Sequence, residues 1–375
     1  MKAQLQRSGI TLLEGNASFS APNRLTIAGA AGSETIVADK FLITVGVHPA
    51  PSKQFLADGE HVLSLDQLLS GKMIPQHLIM AGAGLTGIEY ASMMAHLGAK
   101  VTITDPRSTV LNFVDDEIVS AFTAQLVNIG VEFRLGVTVT NCKVEGQSVT
   151  VTLSDGKQLV ADALIDVTGY HGNTASLGLD KAGVPVGEDG KLEVNERFQT
   201  RTANIYAAGD VIGFPIEGLY YGSISMEQAR LAVCNMFSRP AASNPECYPY
   251  AIYAMPEIAM VGQTEQSLKR EGIDYQVGVA RYEELVKAQI AGESGFLKLL
   301  FDPDTLHLLG VHVMGAGAAE VIHVGQAVLR YGGTIEYLRE NVFNYPTIAE
   351  AYQLAAVDGL RKVGWLPAAR STAAG

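Results

Sequence analysis

Hydrophobic positions along this chain change period several times, and each change marks an element. Within residues 1–40, short apolar or β-branched runs recur at Ile10 to Leu13, Ala17 to Phe19, Leu25 to Ile27 and Thr35 to Val37. Asn16, Pro22-Asn23 and Ala28 to Ser33 punctuate them, so this region reads as short strands and turns, a β-meander. Lys40 to Pro51 reads as a buried strand with a sharp stop: Gly46 ends it, and Pro49 and Pro51 are expected to forbid both helix and ladder. Leu65 to Leu69 predicts a short helix capped by Ser64.

The most informative stretch runs from His77 to Asp105. Leu78 to Ala81 is an apolar run of parallel-strand type, followed at once by Gly82, Gly84 and Gly87 in G-x-G-x-x-G order. Helical periodicity then puts Ile88, Ala91, Met94 and Ala95 on one face, and a second strand, Lys100 to Thr104, ends in Asp105. In such a unit the first glycine permits the tight turn, the second leaves room for a pyrophosphate and the third lets helix and strand pack closely. The phosphates rest on free N–H groups at the helix N-terminus. Asp105, 18 residues past Gly87, stands where an acid can hold a ribose 2′-hydroxyl. Together these features predict a dinucleotide site.

Beyond Asp105 the pattern predicts a helix over Asp115 to Ile129 ended by Gly130, then a strand over Val131 to Leu135. A small meander follows at Val144 to Glu145, Val149 to Leu153 and Gln158 to Val160, then a buried strand over Ala163 to Gly169. Leu192 to Thr200 and Asn204 to Asp210 carry a second informative stretch, in which an apolar strand runs into Gly209-Asp210. A carboxylate at a sheet's carboxyl edge suits a sugar or ribityl hydroxyl. The competing role for Asp210 is a cap on the helix from Ser223 onward. From Tyr250 the composition shifts to antiparallel strands at Ala251 to Val261, Tyr275 to Arg281, Gly295 to Phe301 and Leu306 to Met314. Helices over Ala318 to Tyr331 and Ile348 to Val363 complete an α+β domain, and the tail from Leu366 to Gly375 is expected to be disordered.

Composition narrows the class. Apolar residues make up 47% and charged residues 18% of 375, enough to bury real cores. The net charge of −12 argues against a nucleic-acid surface. No apolar run is long enough to span a bilayer and no signal peptide is evident, so no membrane partner and a cytoplasmic location are expected. Cys142, Cys234 and Cys247 form neither a redox dithiol nor a zinc motif, and His307, His312 and His323 lack ligand spacing, so no metal is expected.

T-V-G at 44–46, the glycines at 82–87, Gly-Asp at 209–210, M-P-E-I-A-M-V-G-Q-T-E at 255–265 and N-Y-P-T-I-A-E-A-Y at 344–352 resemble the pyridine nucleotide-disulfide oxidoreductase family of flavoproteins. The resemblance implies an α/β fold. A Rossmann-like NAD(P)-binding domain, 73–170, is inserted in a truncated FAD-type domain, 1–72 and 171–245, and an α+β domain over 246–365 makes a homodimer. It implies that Gly82, Gly84, Gly87 and Glu89 contact the nicotinamide cofactor and that Gly169 borders its nicotinamide end. Asp210, with Gly209, would meet the ribityl chain of FAD, and Thr44, Val45 and Gly46 would lie near the flavin adenosine.

Four departures shape the expected chemistry. The chain holds one G-x-G-x-x-G, so judged from the family pattern roughly a hundred residues are expected to be missing ahead of Met1, and with them the main FAD phosphate cradle and the segment facing the isoalloxazine. Where disulfide reductases of the family carry a histidine base, this sequence has Tyr345, a poor base at neutral pH, with Glu350 close behind as either a second weak catalytic candidate or an ordinary helix acid. Tyr170 replaces an arginine able to take a 2′-phosphate, while Arg107 could offset the repulsion of NADP by Asp105. The segment after Asp210 is longer than the family pattern. The expected activity is hydride movement between NADPH and NAD through FAD, without a redox disulfide. The alternative is a non-catalytic NAD(P)-binding dimer, or a chain whose true start lies upstream.

Overall fold

The computed structural model describes residues 2–30, 32–50, 55, 57–71, 74–213 and 221–366. Two compact units emerge: residues 1–50 with 169–243, and residues 51–168 with 244–375.

In the first unit the expected meander forms from Asn16–Ala21, Arg24–Gly29 and Gly32–Val37 as an antiparallel three-stranded sheet. Phe19 anchors it to a core that includes Leu177, Leu179 and Ile205. Ahead of the meander the reading of strands and turns fails. Lys2–Arg7 is a helix of good helix formers, and Ile10 to Leu13 is exposed without strand structure. Phe41–Ile43 pairs in parallel with Ile205–Ala207, and Val47–Pro49 pairs antiparallel with Tyr170–Gly172. Pro49 therefore does enter a ladder. Among the described residues the ribbon has two strands, so the missing N–H meets no third strand. In the second informative stretch only Ile205–Ala207 is strand. Around Asn195 the chain turns instead, because that side chain accepts from the N–H groups of Arg197 and Gln199.

The second unit holds two five-stranded sheets. The first is parallel, in the order Val62–Leu63, Ala163–Asp166, His77–Ala81, Lys100–Asp105, Val131–Leu135. Leu78, Ile79, Met80, Val101 and Ile103 are completely buried, as strands covered on both faces require. The helices Leu85–His96 and Asp116–Asn128 connect its strands. The strand expected to reach Gly169 stops at Asp166, whose carboxylate accepts from both the N–H and the hydroxyl of Thr168 and turns the chain.

The second sheet is antiparallel, in the order Tyr250–Ile252, Ile258–Gly262, Leu308–Met314, Phe296–Phe301, Gln276–Arg281. The single strand expected over Ala251 to Val261 is two, folded back around Pro256, which cannot donate to a ladder. Helices Ala318–Arg330 and Ala351–Lys362 cover this sheet. Short helices at Glu265–Glu271, Val286–Ala291 and Ile335–Glu340 go unannounced by the periodicity, being too short to show it. The two sheets share one hydrophobic cluster, in which Met80, Ile103 and Phe122 join Ile252, Met260 and Met314. Compactness therefore unites what the pattern along the chain divides. Phe214 to Tyr220, within the long segment after Asp210, and the tail from residue 367 lie outside the described residues; Leu366 itself donates its N–H to Leu360 O.

Candidate functional site

The strand His77–Ala81 ends in a loop whose three glycines do three different jobs. Gly82 sits at φ +113°, which L side chains rarely adopt, and its N–H donates to Thr104 O at 2.8 Å. Gly84 has ordinary backbone angles and caps the helix Leu85–His96; a methyl group there would meet nothing within 4 Å. Gly87 is the reverse, since a Cβ would lie 2.0 Å from Gly82 O. One glycine turns the chain, one keeps the helix against the strand, and the one between them faces open space at the helix N-terminus. That is room for a diphosphate against backbone N–H groups.

Asp105 closes the loop from the adjacent strand. It is 3% exposed, and its Oδ2 accepts from the Ala83 N–H at 2.7 Å and from Arg107 Nη2 at 2.7 Å. Its Oδ1 accepts from the Arg107 N–H at 2.9 Å and from Arg107 Nε at 2.7 Å. A carboxylate has about four lone-pair positions, and these four bonds fill them. Burial alone would raise this carboxyl, but the Arg107 guanidinium and the two backbone N–H groups outweigh it and hold the group below its usual range. The Arg107 side chain is 50% exposed.

Glu89, on the same helix, accepts from the Tyr253 N–H at 2.9 Å, and Ser92 Oγ accepts from the Met255 N–H at 3.1 Å. Burial raises the Glu89 carboxyl. Together the two side chains tie the helix to the turn between Ile252 and Ile258.

In the first unit the Thr44-Val45-Gly46 turn is held by Asn173, far away in sequence. The Asn173 N–H donates to Gly46 O at 3.0 Å and Nδ2 donates to Val45 O at 2.9 Å. Its Oδ1 meets His48 Nδ1 at 2.7 Å. Gly46, at φ +67°, leaves open space where a Cβ would stand. The Gly209 N–H donates to Gln228 Oε1, and Asp210 Oδ1 accepts from Ser225 Oγ at 3.0 Å. Asp210 is not the cap of the following helix, Gly222–Met236, whose N-cap residue is Tyr221. Among the described residues the half-buried Asp210 carboxylate keeps acceptor positions beyond the Ser225 bond, which fits the hydroxyl donors of a polyhydroxylated chain such as the ribityl group of FAD. Gly169 O accepts from the Ala50 N–H.

Tyr345 is 68% exposed, and Glu350 accepts from the Thr347 N–H at 3.0 Å in a capping box, which gives that acid a local structural task. Asp115, Glu117 and Glu265 converge closely enough to hold a cation, but the ammonium of Lys298 fills the centre, bonded to all three. Gly82, Gly84, Gly87, Asp105 and Arg107 thus come together at one place, while Glu89 faces the 253–255 turn. The Ala83 N–H, Asn173 and Lys298 are structural partners that spacing along the sequence does not announce.

Residues 1–235 match the family described as pyridine nucleotide-disulphide oxidoreductase, and residues 248–356 match its dimerisation domain. The chain is 43% identical over 366 residues to a soluble pyridine nucleotide transhydrogenase of Mycobacterium bovis, covering 97% of this chain and 77% of that protein. It is 38% identical to the enzyme of the same name from a Marinomonas strain, covering 95% of this chain and 77% of that one. Among solved structures, LpdA of Mycobacterium tuberculosis superposes with a TM-score of 0.85 at 25% identity, over 95% of this chain and 79% of that one. The HOCl-induced flavoprotein disulfide reductase RclA of Escherichia coli gives 0.84 at 28% identity, over 95% and 82%. Among the described residues no helix is long and apolar enough to cross a membrane.

Proposed function

This chain belongs to the pyridine nucleotide-disulphide oxidoreductase family, and from that premise we infer that it is a flavin-dependent oxidoreductase moving hydride between NADPH and NAD. The observation that carries the reading is the division of labour among the three glycines, with open space only at Gly84. Gly84 and the first turn of the helix would take the nicotinamide cofactor's diphosphate, and Arg107, paired with Asp105, would face its adenosine ribose. The Thr44-Val45-Gly46 turn, Gly209 and Asp210 would hold FAD, which supplies the two-electron chemistry when bound. The chain's own task is then binding, orientation and exclusion of water. No side chain is required as a base: hydride enters and leaves without thiolate chemistry, which agrees with an exposed Tyr345 and a capping Glu350. The match to the dimerisation domain supports a homodimer.

The test is a coupled assay on the full chain supplied with FAD, in which NADPH reduces thio-NAD⁺ and the product is read by absorbance. Turnover is expected, and Gly84→Asp, which sets a carboxylate against the diphosphate, should abolish it while flavin absorbance is kept. A colourless, inactive protein that still binds NAD(H) would favour a binding role over catalysis.

A further inference from the structure

We propose that His48 and His171 form a binding site for a divalent transition ion of the zinc or nickel kind. The two histidines lie far apart in sequence, with no ligand spacing to announce them. The ribbon of Val47–Pro49 with Tyr170–Gly172 sets them directly opposite each other. Side chains so placed on an antiparallel pair share one face, with Cβ atoms about 4.5–5.5 Å apart. Here the imidazole ring centres are 6.2 Å apart, tilted by 42°. Two imidazoles on one tetrahedral ion hold their ring centres about 5 Å apart, given metal–nitrogen bonds of about 2.0–2.1 Å. His48 is exposed and His171 half-buried, so rotation of the two side chains closes the remainder without moving the ribbon.

Asn173 separates this pair from two histidines that merely meet on a surface. Its N–H donates to Gly46 O, which extends the ladder and puts its side chain on the histidine face, diagonal to His48. Asn173 Nδ2 donates to Val45 O at 2.9 Å, which orients the amide so that Oδ1 is the acceptor. His48 Nδ1, 2.7 Å away, then carries the hydrogen. The lone pair of the neutral ring is thereby confined to Nε2, and an acceptor on the other nitrogen is how proteins hold a metal-bound histidine. Among the described residues neither His48 Nε2 nor either ring nitrogen of His171 has a hydrogen-bond partner. The opposite face of the ribbon is packed. The buried Gly172 donates its N–H to Asp189 O at 2.8 Å, and a Cβ there would lie 2.1 Å from Gly190 O. The ribbon is thus a rigid support that turns its histidines outward. Imidazole suits zinc and nickel, and two such ligands leave the remaining positions to water.

Calorimetric titration of the metal-free full chain with Zn²⁺ tests this. A saturable site for one ion is expected, and His48→Gln and His171→Gln should each weaken it more than about 10-fold, the least that losing even a supporting partner costs. His48 touches the 44–46 turn through Asn173, but His171 has no such bond, so its loss cannot act through the turn. Zn²⁺ should also raise the urea midpoint of the parent and of neither variant, since an ion held by the folded ribbon alone stabilises it. A parent without a saturable site overturns the assignment. So does a site that survives in either variant, because the ion then has other ligands, and so does an equal rise in midpoint for all three proteins.

Discussion

At the scale of single residues, the loop at 82–87 shows how one residue type serves opposed purposes. Gly87 lies inside a helix, where replacing glycine by alanine normally stabilises by about 0.5–1 kcal/mol. Its would-be methyl group points at Gly82 O from 2.0 Å, so here the clash must win. Gly87→Ala is expected to destabilise the protein by about 1–3 kcal/mol, the usual cost of overpacking. Gly84→Ala meets open space at unstrained angles and should leave unfolding unchanged while weakening NAD(H). Chemical denaturation of the two variants beside the parent decides it; a Gly87→Ala protein as stable as the parent would remove the packing role given to that glycine. The order of the motif announces the three roles, and the neighbour each glycine faces supplies the physical reason for each.

At the scale of elements, Lys298 stands out. It lies on Phe296–Phe301, a strand with every residue buried, and its ammonium is completely enclosed. Asp115, the N-cap of the helix Asp116–Asn128, bonds it at 2.8 Å, and Glu117 at 2.9 Å, while Glu265 closes the group from the start of its own helix. The Glu265 N–H donates to the other oxygen of Asp115, and Gln266 Nε2 donates to Val114 O at 2.7 Å. The cluster thus ties the helix Asp116–Asn128 to the antiparallel sheet. Removing one member of a buried ion pair costs about 3–5 kcal/mol, because the other is left uncompensated. Lys298→Met should lose that much in urea unfolding, and adding Asp115→Asn should restore part of it. A double variant no better than the single would show that the charges are not coupled.

At the scale of the whole molecule, the buried charges set the pH range of stability. Burial pushes the His312 imidazole down, although Asp115 opposes this; its Nε2 meets Gln263 O and its Nδ1 has no partner among the described residues. A base with a depressed folded pKa takes up its proton first in the unfolded chain, so stability should begin to fall as pH drops below about 6.5. Asp105, Asp115 and Glu265 are all held below the usual carboxylate range despite burial. Their contribution is present above the unfolded values and should be lost as pH falls below about 4. Lys298 is raised by its three carboxylates against the opposing effect of burial, so its contribution is complete below the unfolded lysine value and is lost only in strong alkali. Melting temperatures between pH 3 and 8 should therefore fall in two stages on the acid side, and His312→Leu should flatten the first. An unchanged slope near pH 6 in that variant would take His312 out of the account.

What the sequence determined by itself is whatever depends on neighbours along the chain. The strand, glycine loop, helix and second strand of 77–105 follow from local period and from a turn that only glycine allows, and so does the N-cap at Ser64. Tertiary structure decided everything that depends on partners distant in sequence. Asp105 is visible as the acid after the fingerprint, but not that Arg107 and the Ala83 N–H already occupy it. Asn173 holds the 44–46 turn across 128 residues, and Lys298 reaches Asp115 across 183, with no periodicity to connect them. Pro49 entered a ladder because, among the described residues, its ribbon has no third strand, which is a property of the sheet rather than of the proline. Local pattern fixes dihedral angles; which buried donor meets which acceptor is settled only when the elements close on one another and exclude water.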